Sequence, residues 1–150
     1  MAYSLDTNIL LHLLLNSPTA ANTVATYFDG DSPTIVISIA AKAEIEALGM
    51  KRGWGDKKMT NLRKLLAEFL VIPISTDDLV TRYAEIDAFS QGNHPKYKLH
   101  KGMSARNMGK NDIWIAATAS VTKTILLTTD DDFNHLIDSP FLQVQKVPIL

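Results

Sequence analysis

Two rhythms of apolar residues alternate along this chain. Short apolar or β-branched runs predict strands at Ala2–Leu5, Thr34–Ser38 and residues 71–74, 124–128 and 141–147. Helical spacing predicts helices at Thr7–Leu15 and at residues 20–28, 39–50 and 57–69. Three more follow: one from a cap at Ser75 or Thr76 to residue 88, an apolar one over 113–121 begun at Asn111 or Asp112, and a short one over 130–137. Asp29, Gly30 and Asp31 close the second helix, and Gly49 to Gly55 breaks the third. In that third helix Ile39, Ala43, Glu46 and Met50 trace an apolar-side stripe, widened by Ile45 and Leu48. Pro73 places the third strand at a sheet edge or a strand end. Residues 91–110, with Gly92, Pro95, Gly102 and Gly109, read as a long loop of the functional or mobile kind. Strands separated by helices imply one α/β domain with a parallel sheet and right-handed crossovers. Such sheets bind ligands beyond the carboxyl ends of their strands.

Composition narrows the chemistry. The chain has 150 residues, 46% hydrophobic and 21% charged, which suits one globular domain with a real core. Cysteine is absent, so no disulfide or thiolate site exists and a reducing, cytoplasmic setting is expected. The first fifteen residues lack a basic leader and a cleavage site, and no stretch is long enough to span a bilayer. With a net charge of −1, binding to nucleic acid must come from local patches rather than bulk attraction.

The acids carry the strongest signal. Asp6, Asp112 and Asp130 are expected where a strand gives way to a helix, and Glu44 one turn into a helix. A parallel sheet would bring the three junctions to one edge. Carboxylates about 5 Å apart repel by roughly 3 kcal/mol per pair at an effective dielectric near 20. Gathering them therefore points to a divalent cation and metal-assisted chemistry. Asp6 is also a good helix cap, and Thr7 and Asn8 are placed to orient its carboxylate. Asp112 precedes an almost wholly apolar helix and is expected to be buried. In the run Asp130-Asp131-Asp132-Phe133, Asp130 and Asp132 are two apart and can share a site. Asp131 then faces away, Phe133 anchors the turn, and Thr128 bonds a neighbouring carboxylate or water.

Other chemistries find little support. His12, His94, His100 and His135 lack zinc-ligand spacing, and no phosphate-binding glycine pattern or nucleophile elbow occurs. Basic residues gather around Trp54 (Arg52 and Lys57 among them) and in the long loop (Lys101, Arg106 and Lys110, with Tyr97). These are solvated faces or weak RNA-binding patches, with the aromatics as stacking platforms.

Four segments resemble the motifs of PIN-domain ribonucleases, in the family's order. They are Leu5-Asp6-Thr7-Asn8-Ile9-Leu10-Leu11, the stretch from Ser38 through Glu44, Asn111-Asp112-Ile113-Trp114-Ile115-Ala116-Ala117-Thr118-Ala119, and Leu127-Thr128-Thr129-Asp130-Asp131-Asp132-Phe133. The likeness covers nearly the whole chain and is greatest to the VapC toxins of toxin–antitoxin pairs. It implies a PIN-like three-layer α/β sandwich with four to five parallel strands, and Mg²⁺- or Mn²⁺-dependent endonucleolytic cleavage of RNA, a tRNA or an mRNA. It implies Asp6, Glu44, Asp112 and Asp130 as the acidic centre and Asp132 as a supporting ligand. Thr7, Asn8, Asn111 and Thr128 stand as supporting residues. A homodimer and inhibition by a small antitoxin are implied as well. Attack by a metal-activated water predicts 5′-phosphate and 3′-hydroxyl ends.

Two readings compete. A catalytically weak or inactive PIN-like module would bind RNA or protein without cutting. A receiver-like phosphoacceptor would also gather acids beside Mg²⁺, but it needs a lysine late in the chain at a strand end, and no clear candidate is visible.

Overall fold

All strands of the sheet run the same way. The computed structural model describes residues 1–30 and 32–150; Asp31, expected in the turn after the second helix, lies outside the described residues. In chain order the elements are β1 (Ala2–Leu5), α1 (Thr7–Leu15), α2 (Pro18–Thr23) with a π-helical turn at Val24–Phe28, β2 (Thr34–Ser38), α3 (Ile39–Lys51), α4 (Asp56–Leu66) and β3 (Leu70–Ile72). After these come α5 (Asp77–Ser90), α6 (Lys110–Thr122), β4 (Ile125–Thr128), a 3-10 helix (Asp131–Leu136) and β5 (Gln143–Lys146). Five strands pair in the order β3-β2-β1-β4-β5 with helices flanking the sheet, as the α/β expectation requires.

Burial follows position in the sheet. Leu5, Ile37, Leu126 and Leu127 of the three inner strands are fully enclosed, whereas β3 and β5 at the edges are only partly covered. Inner strands of a parallel sheet are covered on both faces, which is why their sequences read as continuous apolar runs rather than alternations. β1 is the pivot. The chain builds outward from it through β2 and β3, then crosses back to add β4 and β5 on its other side. The crevice of such a sheet opens where the order reverses, between the carboxyl ends of β1 and β4.

The structure departs from the sequence expectations at several points. Asn16, in the left-handed region at φ 50°, ends α1, but Ser17 and Pro18 start the next helix instead of merely closing the first. Ser17 Oγ accepts from the Ala20 N–H, and proline at the first helical position loses no helix hydrogen bond. The buried stripe of α3 is Ala41, Ile45 and Gly49, while Ile39 and Met50 are 40% and 74% exposed. Small residues let α3 approach α1, α4 and α6, so size overrode hydrophobicity. Gly49 continues the helix rather than breaking it; a side chain there would meet Trp54 and Met59 at 2.7 Å, so the close approach explains the glycine. Asp112 does not follow a strand; it is the third residue of α6, preceded by the long loop.

That loop joins two helices packed on each other and carries its own packing. His94 Nδ1 accepts the backbone N–H groups of Lys96 and Tyr97, each at 3.0 Å. The Tyr97 ring meets Phe141 edge-on at 5.7 Å, and Met108 is buried in the core. Tyr97 is thus a packing residue rather than a free stacking platform.

Replacing Gly49 by alanine is expected to cost about 1–3 kcal/mol of stability, the usual penalty for overpacking. Urea denaturation followed by tryptophan fluorescence measures it, and unchanged stability would contradict the close approach of Trp54.

Candidate functional site

Asp6 is where the site begins. It caps α1 at the end of β1, one carboxylate oxygen accepting from the Thr7 N–H at 2.7 Å. The other oxygen accepts from the Thr128 hydroxyl at 2.8 Å, and the Asp6 N–H donates to the Leu127 carbonyl at 3.1 Å. Asp6 is therefore stitched to the end of β4 across the crevice. Thr128 Oγ1 in turn accepts from the Asp130 N–H at 2.9 Å, and Asp130 Oδ1 accepts from the Asp132 N–H at 3.0 Å. One chain of hydrogen bonds links Asp6, Thr128, Asp130 and Asp132.

Glu44 and Asp112 arrive from the helices. α6 leads into β4 through a short turn, so it runs back along the sheet and its first turn lies at the carboxyl-end edge. Glu44, on the second turn of α3, accepts from the Asn111 side-chain amide at 2.8 Å, which ties α3 to the start of α6. Asp112 is half-buried rather than enclosed, with the Gly109 Cα hydrogen side facing its carboxylate closely enough that a Cβ would lie 3.7 Å from Oδ2.

The carboxylates feel one another. Burial chiefly, opposed by the Thr128 and Thr7 bonds and assisted by Asp130 and Glu44, raises the Asp6 pKa to about 6. Asp112 is raised to about 7, first by burial and then by the negative charges of Asp6, Glu44, Asp132 and Asp130. Five acids thus share one electrostatic neighbourhood, although among the described residues no three acidic or imidazole groups close into a tight ligand cage. The all-oxygen donor set, open on one side, fits a hard divalent cation that keeps several waters. The Thr7 hydroxyl, buried without a partner among the described residues, adds one more oxygen beside Asp6.

Several expected contributors lie elsewhere or act differently. Thr7 supports Asp6 through its backbone N–H, and Asn8 faces solvent. Arg52 directly follows α3, about 12 Å along the helix from Glu44 at 1.5 Å per residue, Trp54 lies in the turn beyond it and Lys57 in the first turn of α4. Trp54 packs against Gly49 while the Lys58 ammonium lies 4.3 Å from its ring centroid. Lys101 is exposed on the loop, and Lys110 opens α6 two residues before Asp112. Asp131 faces solvent, as expected, but with an unforeseen partner: the Lys146 ammonium bonds its carboxylate and holds its pKa below the ordinary range. Lys146 ends β5, so the lysine that the sequence reading found missing at a late strand end exists. Its place at the close of the last predicted strand was the available signal.

The family question turns on the whole chain. The model of the PIN domain matches residues 3–138. The chain belongs to the PIN-domain family. That assignment, rather than a missing lysine, sets aside the receiver-like reading. No curated protein sequence matches this PIN domain significantly. Its fold is similar to that of VapBC2 from Rickettsia felis bound to a promoter DNA fragment, with TM-score 0.74 and 22% identity over 97% of this chain and 98% of that one. A toxin–antitoxin complex from Klebsiella pneumoniae gives TM-score 0.70 and 21% identity over 99% of both chains. VapBC-1 from nontypeable Haemophilus influenzae gives 0.68 and 24% over 97% and 98%. At these identities the likeness is one of fold.

The raised carboxyl pKa values fix the sign of a pH effect. An acid whose folded pKa is raised holds its proton more tightly when folded, so its stabilisation is complete below about pH 4 and lost as pH rises through the folded value. His135, fully buried and lowered to about 4 by burial and then by Arg106, acts oppositely: the folded state gains stability as pH climbs from about 4 to 6.5. The difference between Asp112→Asn and the parent separates the two. In chelator, the melting temperature of Asp112→Asn relative to the parent is expected to climb by a few degrees from pH 4 to 8. A flat difference would mean that Asp112 is not crowded by its neighbours.

Proposed function

We propose that this PIN domain is a metal-dependent endoribonuclease and the toxin of a toxin–antitoxin pair. The observation that carries the reading is the convergence of Asp6, Glu44, Asp112, Asp130 and Asp132 beside the β1–β4 crevice, linked by Thr128 and Asn111. The toxin part is supported by neighbours of like fold whose structures are toxin–antitoxin complexes. An antitoxin partner, a homodimer and a tRNA or mRNA substrate belong to the same proposal.

In this mechanism Asp6 and Asp112, supported by Asp130 and Asp132, would hold a Mg²⁺ or Mn²⁺ ion. The bound ion supplies Lewis acidity and a water of lowered pKa. Thr128 and the Thr7 N–H fix the direction of the Asp6 carboxylate, and Asn111 does the same for Glu44. Glu44 and Asp130 orient the attacking water and take up its proton. A new P–O bond forms to that water while the bond to the ribose O3′ breaks, leaving a 5′-phosphate and a 3′-hydroxyl. No base is needed to activate the ribose 2′-hydroxyl.

Purified protein is expected to cut RNA in Mn²⁺ and not in chelator, and Asp6→Asn to lower the rate by at least about 100-fold. That corresponds to roughly 2.7 kcal/mol of transition-state stabilisation. End-group analysis checks the route, and 2′,3′-cyclic phosphate ends would refute it. Equal activity of Asp6→Asn and parent, with or without chelator, would mark a contaminant and favour a binding module.

Mn²⁺ is also expected to raise the melting temperature of the parent. An ion at a hundred times its dissociation constant stabilises a protein that binds it only when folded by about 2.7 kcal/mol. Asp112→Asn removes most of that gain. No shift in the parent at millimolar Mn²⁺ would count against the site.

A further inference from the structure

The acidic edge carries two cations on its β5 side. Lys146 ends β5 directly beside Thr128 in the sheet register, one strand spacing of about 4.8 Å away. The Val147 N–H, donating to the Thr128 carbonyl at 2.7 Å, extends that pairing by one residue. The Lys146 ammonium bonds Asp131, the residue between Asp130 and Asp132. On the same residue, the Arg106 guanidinium reaches the Asp131 carbonyl oxygen at 3.5 Å, the long limit of a hydrogen bond.

This arrangement is poorly explained as a stability device. The Asp131 side chain is 85% exposed and that of Lys146 32%, and an ion pair so exposed contributes little to stability. Each cation retains spare donors: lysine has three and arginine five, and a single acceptor occupies each of the two contacts described. The adjoining acids present a negative rim that repels RNA. Cations held at its edge offset that repulsion on one side and give the strand a point of attachment that leaves the carboxylates free.

We propose that Lys146 and Arg106 together bind a backbone phosphate of the RNA beside the acid centre, with Asp131 as the residue that positions both. The inference rests on the nuclease reading for its substrate. It assigns Asp131 a task separate from that of Asp130 and Asp132: the middle acid of the triplet aims cations rather than joining the carboxylate centre.

The test separates binding from cutting. Anisotropy of a short fluorescein-labelled single-stranded oligoribonucleotide, titrated in chelator over a series of salt concentrations, gives the dependence of log K on log salt. Each phosphate contact to a single strand contributes a slope of about −0.7. Lys146→Gln and Arg106→Gln are each expected to weaken binding and make the slope shallower by up to about 0.7, while Lys146→Arg retains it. Asp131→Asn should weaken binding although it removes a negative charge from the rim, and tighter binding would mean that Asp131 positions neither cation. Melting temperatures of all four variants close to the parent's exclude a folding defect. Parental slopes in both glutamine variants, or no binding by the parent at the lowest salt, would overturn the proposal. Cleavage of the same oligonucleotide in Mn²⁺ is read separately. Its absence in the parent would defeat the nuclease reading, while the salt slopes would still decide whether this rim binds phosphate.

Discussion

The pairing of β1 with β4 governs everything at the functional edge. These strands are about 120 residues apart in sequence, yet they lie side by side at the centre of the sheet. The main-chain bond from Asp6 to Leu127 and the side-chain bond from Thr128 to Asp6 close the same junction. A one-residue slip in that register would turn Thr128 away from Asp6 and move Leu5, Leu126 and Leu127 off the faces they fill. The apolar core and the acidic site therefore depend on one alignment, and neither can be correct without the other.

That alignment forces an electrostatic conflict. Asp6 is enclosed; among the described residues only the Thr7 N–H and the Thr128 hydroxyl replace its lost water, and its pKa stays high despite both. Asp112 has its neighbours' negative charges added to burial, and it ends higher still. Folding energy from the inner strands holds in place a group of charges that would otherwise separate. A divalent cation held there would resolve the conflict, as a proton does, and the two would compete for the same oxygens. The fold thus couples the ionisation of the centre to whatever cation it meets.

The chain leading into α6 places the remaining pieces. A long loop, anchored by His94, Tyr97 and Phe141, delivers Gly109, Asn111 and Asp112 to the carboxyl-end edge beside α3. Arg106 lies on its final stretch and reaches Asp131, so the same segment supplies both a member of the acid group and a cation beside it. His135, buried against Ser90 through a 2.7 Å bond, fastens the 3-10 helix behind the Asp130–Asp132 turn to the end of α5. His135 is structural.

By itself the sequence determined the order of strands and helices, the parallel sheet, and the identity of the acids. Those features are written in local patterns: β-branched runs such as Thr34–Ser38, capping residues such as Asp6 and Thr76, and acids beside apolar segments. Tertiary structure decided what depends on size, direction and distant neighbours. Position 49 takes glycine because Trp54 comes against the helix there, and the α3 stripe is set by close approach rather than by hydrophobicity. Arg52 falls away from Glu44 because α3 carries it to the far end of the helix, and Trp54 folds back onto Gly49. Lys146 gains its meaning only when β5 lies against β4, bringing its ammonium to Asp131. Periodicity encodes which residues face inward, but only the packed sheet brings residues more than a hundred positions apart within hydrogen-bonding distance.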